Sequence, residues 1–147
     1  MGQDYPGLFS AEQEHEIKEG IKHGVDVSIY AKQEYTDFQM REIRLGLEAR
    51  LDVSIYATTA FSHLQMCEIR EGMLAGLNVS AFARCDMAWE QMVMVRRGLK
   101  RGLDVSIYAH PAMPVTKMEE EFHRLWRESA RRKDANLRKR QRGDDER

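Results

Sequence analysis

The sequence predicts an all-α fold, a right-handed helix–turn–helix solenoid of four 26-residue repeats closed by a degenerate C-terminal capping helix. Three observations lead there. First, Met40, Met66, Met92 and Met118 stand 26 residues apart, as do Gly20, Gly46, Gly72 and Gly98, and likewise Val27, Val53, Val79 and Val105. A fixed period of about 20–50 residues marks a solenoid, in which each unit buries its apolar face on its neighbours. Second, the first half of each unit carries apolar residues three and four apart, as in Met40, Ile43, Leu47 and Leu51. That spacing puts one stripe on one side of a helix. Third, each such stretch is bracketed by helix start and stop residues.

In chain order, residues 1–8 read as a lead-in broken at Pro6-Gly7. The repeats follow at 9–34, 35–60, 61–86 and 87–112, and a cap at 113–130 completes a repeat domain spanning 1–130. Ser10, Thr36 and Ser62 are N-cap residues with Gln13, Gln39 and Gln65 three positions on, the capping-box spacing. Gly24, Gly76 and Gly102 are stop residues able to take the left-handed conformation. Arg50 breaks that column, so the second unit must end its helix with strain or differently. The segment Asp52-Val53-Ser54-Ile55-Tyr56-Ala57 has two readings. Its alternation suits a strand, whereas Asp26, Asp52, Asn78 and Asp104 suit the N-cap of a short helix of roughly six residues. The helix is the preferred reading. The fifth unit keeps Met118 but places Arg124 where glycine recurs, and Phe122, Leu125 and Trp126 are the last large residues able to close the core.

Charge is divided unevenly along the chain. Residues 124–147 hold ten Lys/Arg against five Asp/Glu, a net +5, and the rest carry 13 against 19, a net −6. Residues 131–147 are expected to be a basic, mobile tail, because Leu137 is their only large apolar side chain. The two cysteines, Cys67 and Cys85, form no C-x-x-C pair, and no apolar run reaches the ~18 residues that span a bilayer. These features suggest a reduced cytoplasmic protein without a membrane role.

The internal copies show which positions the unit holds fixed. The glycines Gly20, Gly46, Gly72 and Gly98 lie within the helix, where glycine costs about 1 kcal/mol, so close approach of a neighbouring backbone is expected there. Lys18, Arg44, Arg70 and Arg96 border the apolar stripe. They could pair with Asp26, Asp52, Asn78 and Asp104 across adjacent units, or present cations to a partner. Glu16, Glu42 and Glu68 fall opposite the stripe and read as a solvated face. Tyr30, Tyr56, Phe82 and Tyr108 read as core or, if exposed, as an aromatic ladder along a groove. The candidate binding surface is therefore Tyr30, Tyr56, Phe82 and Tyr108 with Arg44, Arg70 and Arg96. The candidate nucleic-acid contacts are Arg131, Arg132, Lys133, Arg138, Lys139, Arg140 and Arg142, since basic arms gain affinity by counterion release.

No serine, cysteine or lysine is paired with histidine at a motif spacing, and the five histidines fall at unrelated places in the repeat. The expectation is no enzyme, no cofactor and no metal. The units Gln39-Met40-x-Glu42-Ile43-Arg44-x-Gly46-Leu47 and Gly102-Leu103-Asp104-Val105-Ser106-Ile107-Tyr108-Ala109 resemble a tandem repeat of proteins from bacterial conjugative and phage-like mobile elements. The likeness covers residues 9–112. It implies a bacterial cytoplasmic accessory protein and transfers no catalytic residue. Function is accordingly expected to be a non-catalytic scaffold for a protein partner, with nucleic-acid binding through the tail as the alternative. Oligomeric state is left open.

Overall fold

The computed structural model describes residues 7–145; the first six residues of the lead-in, Pro6 included, and the last two of the tail lie outside them. Five helices begin at a constant step: α1 Ala11–Lys22, α2 Asp37–Glu48, α3 His63–Leu74, α4 Trp89–Lys100 and α5 Val115–Asp145. Short 3₁₀ turns follow the first four, at Val27–Ile29, Val53–Ile55, Val79–Ala81 and Val105–Ile107. The described residues contain no strand, so the alternation in Asp-Val-Ser-Ile-Tyr-Ala is not that of a sheet. Nor is it a helix of six residues. Asp26, Asp52, Asn78 and Asp104 each accept from the backbone N–H of the serine two residues on, which satisfies a single three-residue turn.

Helix starts follow the sequence closely because they are local. Ser10, Thr36 and Ser62 accept from the N–H of Gln13, Gln39 and Gln65, whose side chains accept in return. The fourth helix has Ala88 at this place and keeps only the return bond, from the Ala88 N–H to Gln91 Oε1. Each glutamine also donates from Nε2 to a carbonyl in the next unit: Gln13 to Tyr35, Gln39 to Phe61, Gln65 to Met87 and Gln91 to Met113. One side chain thus starts its own helix and ties down the approach to the next.

Helix ends follow a Schellman pattern. Val25, Leu51, Leu77 and Leu103 donate to the carbonyls of Gly20, Gly46, Gly72 and Gly98, and the residue before each donates to the carbonyl one position on. That preceding residue has positive φ, at Gly24, Gly76 and Gly102, and also at Arg50 with φ 59°. Arg50 therefore takes the same ending rather than a different one, with a side chain that disfavours it. Arg50→Gly should raise stability by about 1 kcal/mol, read from a denaturant midpoint at unchanged slope. No change would mean that the Arg50 side chain offsets its backbone cost.

Helices contact substantially only their neighbours in sequence, and each of the first four also contacts its own 3₁₀ turn. The core is a continuous layer along this row. It includes Ile17, Met40, Ile43, Met66, Ile69, Met92, Val95, Met118 and Phe122 from the helices, with Tyr30, Tyr56, Phe82 and Tyr108 from the turns. α5 runs on through Ala130 without a break, and every residue from Arg131 to Asp145 is exposed.

Candidate functional site

Of the two readings of the aromatic column, core or exposed ladder, the structure takes the core, and the column is lost as a candidate binding surface. Tyr30, Tyr56, Phe82 and Tyr108 are fully buried, so none can meet a partner. Each ring lies on the glycine of its own unit: a Cβ at Gly46 would stand 2.0 Å from Tyr56 Oη and 2.7 Å from Val53 Cγ1. The glycine column therefore admits side chains of its own unit, not a neighbouring backbone. The absent Cβ lets Tyr30, Tyr56 and Tyr108 pass over the helix and donate their hydroxyls to the carbonyls of Glu16, Glu42 and Met94, at 2.7 Å each.

Burial raises the pKa of these phenols, taking Tyr108 to about 12 from an ordinary 10.0 and Tyr30 and Tyr56 higher still. A pKa raised on folding contributes stability that is complete below the unfolded value and is lost as pH rises through the folded one. Denaturant midpoints should fall from about pH 10 upward, and more steeply in the wild type than in Tyr56→Phe. Parallel pH profiles for the two proteins would contradict the assignment.

The arginine column is internal, but its acceptors are not the aspartates. Arg44 Nε donates to Glu16 Oε2 at 2.8 Å and Arg70 Nε to Glu42 Oε2 at 2.8 Å, and Arg96 pairs with Glu68 in the same way. Every arginine reaches back 28 residues, to the helix before its own. The glutamates expected on a solvated face are buried or nearly so, and Asp26, Asp52, Asn78 and Asp104 are taken up in capping their turns. The reason is that a helix followed by another is packed on that flank as well as on its apolar stripe. The flank opposite the arginines receives the following helix. Among the described residues no helix precedes α1, and Lys18 is exposed. For Arg44 and Arg70, burial opposes the charge, but hydrogen bonds to Glu16 and Glu48, and to Glu42, outweigh it and raise their pKa. Arg44, Arg70 and Arg96 are thus committed to the ladder and do not form a free cationic surface.

At the last interface both partners change together. The ladder would next join position 122 to position 94, and these are Phe122 and Met94, both in the buried core. The joint loss of an arginine and a glutamate 28 residues apart is the sequence signal that identifies the pairing. Arg70→Ala should lower stability by roughly 2–4 kcal/mol, because Glu42 would be left largely enclosed without its partner. A thermal melt equal to that of the wild type would show that the pair contributes nothing.

Two surface features escape the column reading because they are departures from it. Phe38, Leu64 and Trp89, at the first or second position of α2, α3 and α4, are 56%, 42% and 37% exposed. The Phe38 ring stacks on His63 of the next helix at 5.0 Å between centroids. The second feature is the last turn of α4, where Arg97, Lys100 and Arg101 line an open cleft with Arg96. Arg97 lies over the Phe122 ring at 5.0 Å and Arg101 over the Trp126 ring at 3.9 Å. The tail residues Arg131, Arg132, Lys133, Arg138, Lys139, Arg140 and Arg142 are all exposed on α5.

The described residues hold no cluster of three metal-ligating side chains. The Cys67 thiol is pushed up by burial, away from the range of an activated nucleophile. Among the described residues no helix is long and apolar enough to cross a membrane. No protein-family model, curated protein or solved structure matches the chain.

Proposed function

We propose that the chain is a right-handed helical solenoid acting as a non-catalytic binding scaffold for a protein partner. The observation that carries this reading is the set of exposed apolar side chains at the starts of three successive helices, Phe38, Leu64 and Trp89, with the Phe38 ring stacked on His63 of the next helix. Large rings held outside a closed core are the anchors on which protein interfaces concentrate their energy. Phe38 and Leu64 hold the same place in successive units, and Trp89 stands one position earlier in the next, so three neighbouring helices each offer one anchor to an extended partner. The placement as a bacterial cytoplasmic accessory of a mobile element rests on the resemblance of its units alone.

The test is capture of proteins from an extract of the host cell on immobilised wild type and on Phe38→Ser/Leu64→Ser/Trp89→Ser. These positions are exposed, so the variant should fold normally. One protein retained by the wild type at high salt and lost from the variant is the expected result. Equal retention by both, or none by the wild type, would refute the reading.

A second reading is favoured by α5. Its exposed part carries seven basic residues against three acidic ones between 131 and 145, which suits nucleic-acid binding through the tail. Loss of a salt-dependent DNA complex on truncation after Ala130 is the outcome this reading expects.

A further inference from the structure

We infer that the last turn of α4 and one face of α5 form a single cationic track that binds the phosphate backbone of nucleic acid, so that the body as well as the tail makes contact. The proposal rests on the second reading above and deepens it.

Arg97, Lys100 and Arg101 are exposed, and none makes an ion pair among the described residues. The corresponding residues are Glu19, Lys22 and His23 in the first unit, Leu45, Glu48 and Ala49 in the second, and Glu71, Leu74 and Ala75 in the third. Only the unit next to α5 has three cations here. Helix stability does not require them, since α2 and α3 have the same length and no basic residue in their last turn.

The rings of α5 set the geometry. Arg101 stands over the Trp126 ring and Arg97 over the Phe122 ring, so both cations are held against α5, and Arg97 also directs one N–H to Met94 Sδ. A guanidinium carries five N–H donors, and a ring contact uses none of them, so donors remain for phosphate oxygens. At 100° per residue, Lys133 and Arg140 fall within about 40° of Trp126 on the helix wheel, seven and fourteen residues on. Lys133 and Arg140 line one shallow depression with Asn136 and Leu137. The face that receives α4 therefore continues as a basic stripe along the exposed helix. Spaced single cations with no carboxylate among the residues lining either depression fit a polyanion read by charge, without sequence selection.

The experiment is binding of a labelled DNA duplex of about 20 base pairs across a salt series. It compares the wild type, Arg97→Gln/Lys100→Gln/Arg101→Gln, Lys133→Gln/Arg140→Gln and the truncation after Ala130. The triple variant should bind on the order of tenfold more weakly, and its salt slope should be smaller by about 2–3, near 0.9 for each phosphate contact removed. A triple variant that binds like the wild type would overturn the track even if the truncation abolishes binding, leaving the tail reading intact. No binding by the wild type would remove both. Displacement of DNA by an equal charge of polyglutamate would assign the track to acidic polypeptides and overturn it as well. Should the triple variant melt early, Lys100→Glu at its exposed position is the substitute: weaker binding with an unchanged melt supports the track, and unchanged binding overturns it.

Discussion

Gly46→Ala should destabilise the protein by about 3 kcal/mol or more, lowering the melting temperature by roughly 10 °C. The sign is the informative part. In an exposed helix the same change is stabilising by about 1 kcal/mol, since alanine is the better helix former. Here the new methyl would stand 2.0 Å from the hydroxyl of Tyr56 and 2.7 Å from Val53 Cγ1. The ring would have to withdraw from a site where it is fully buried and where its hydroxyl donates to the Glu42 carbonyl. Overpacking and a lost buried hydrogen bond therefore act together. Tyr56→Phe removes the atom in worst conflict but leaves Val53 in place. The double variant should therefore be less destabilised than the two single changes summed. Additive single effects would show that the ring and the glycine do not compete for the same space.

Truncation after Glu121 should be more damaging, whereas truncation after Ala130 should change the melt by no more than about 0.5 kcal/mol. The shorter chain loses Phe122, which is fully buried, together with Leu125, which packs against the core, and the half-exposed Trp126 beneath Arg101. Loss of a buried phenylalanine alone costs about 3–5 kcal/mol. Phe122→Ala provides the same test at a single position. The ladder cannot substitute at this interface, because Met94 stands where a glutamate would be needed. Residues 131–145 are exposed throughout, so their removal takes away no packing. Thermal melts of the two truncations, followed by circular dichroism, decide the matter. Equal melting temperatures would place the end of the core before Phe122.

Sequence alone determined what is local. The capping boxes at Ser10, Thr36 and Ser62 and the glycine endings involve partners within six residues, and their chemistry admits one geometry. The helical register and the step of 26 residues followed from these signals and from the methionine column. Tertiary structure decided where each side of a helix points. One apolar stripe on a wheel suggests one packed face and one wet face. In a row of helices the flank that meets the next helix is packed as well, and that is why Glu16, Glu42 and Glu68 are enclosed. Burial of the four aromatic residues depended on the turn folding back over a glycine in its own unit, a contact that periodicity does not describe. The cationic turn of α4 became visible only once α5 placed Phe122 and Trp126 beneath it. Spacing fixes hydrogen bonds that close within a turn or two; the pairing of charges 28 residues apart is settled by which helix occupies the adjoining space.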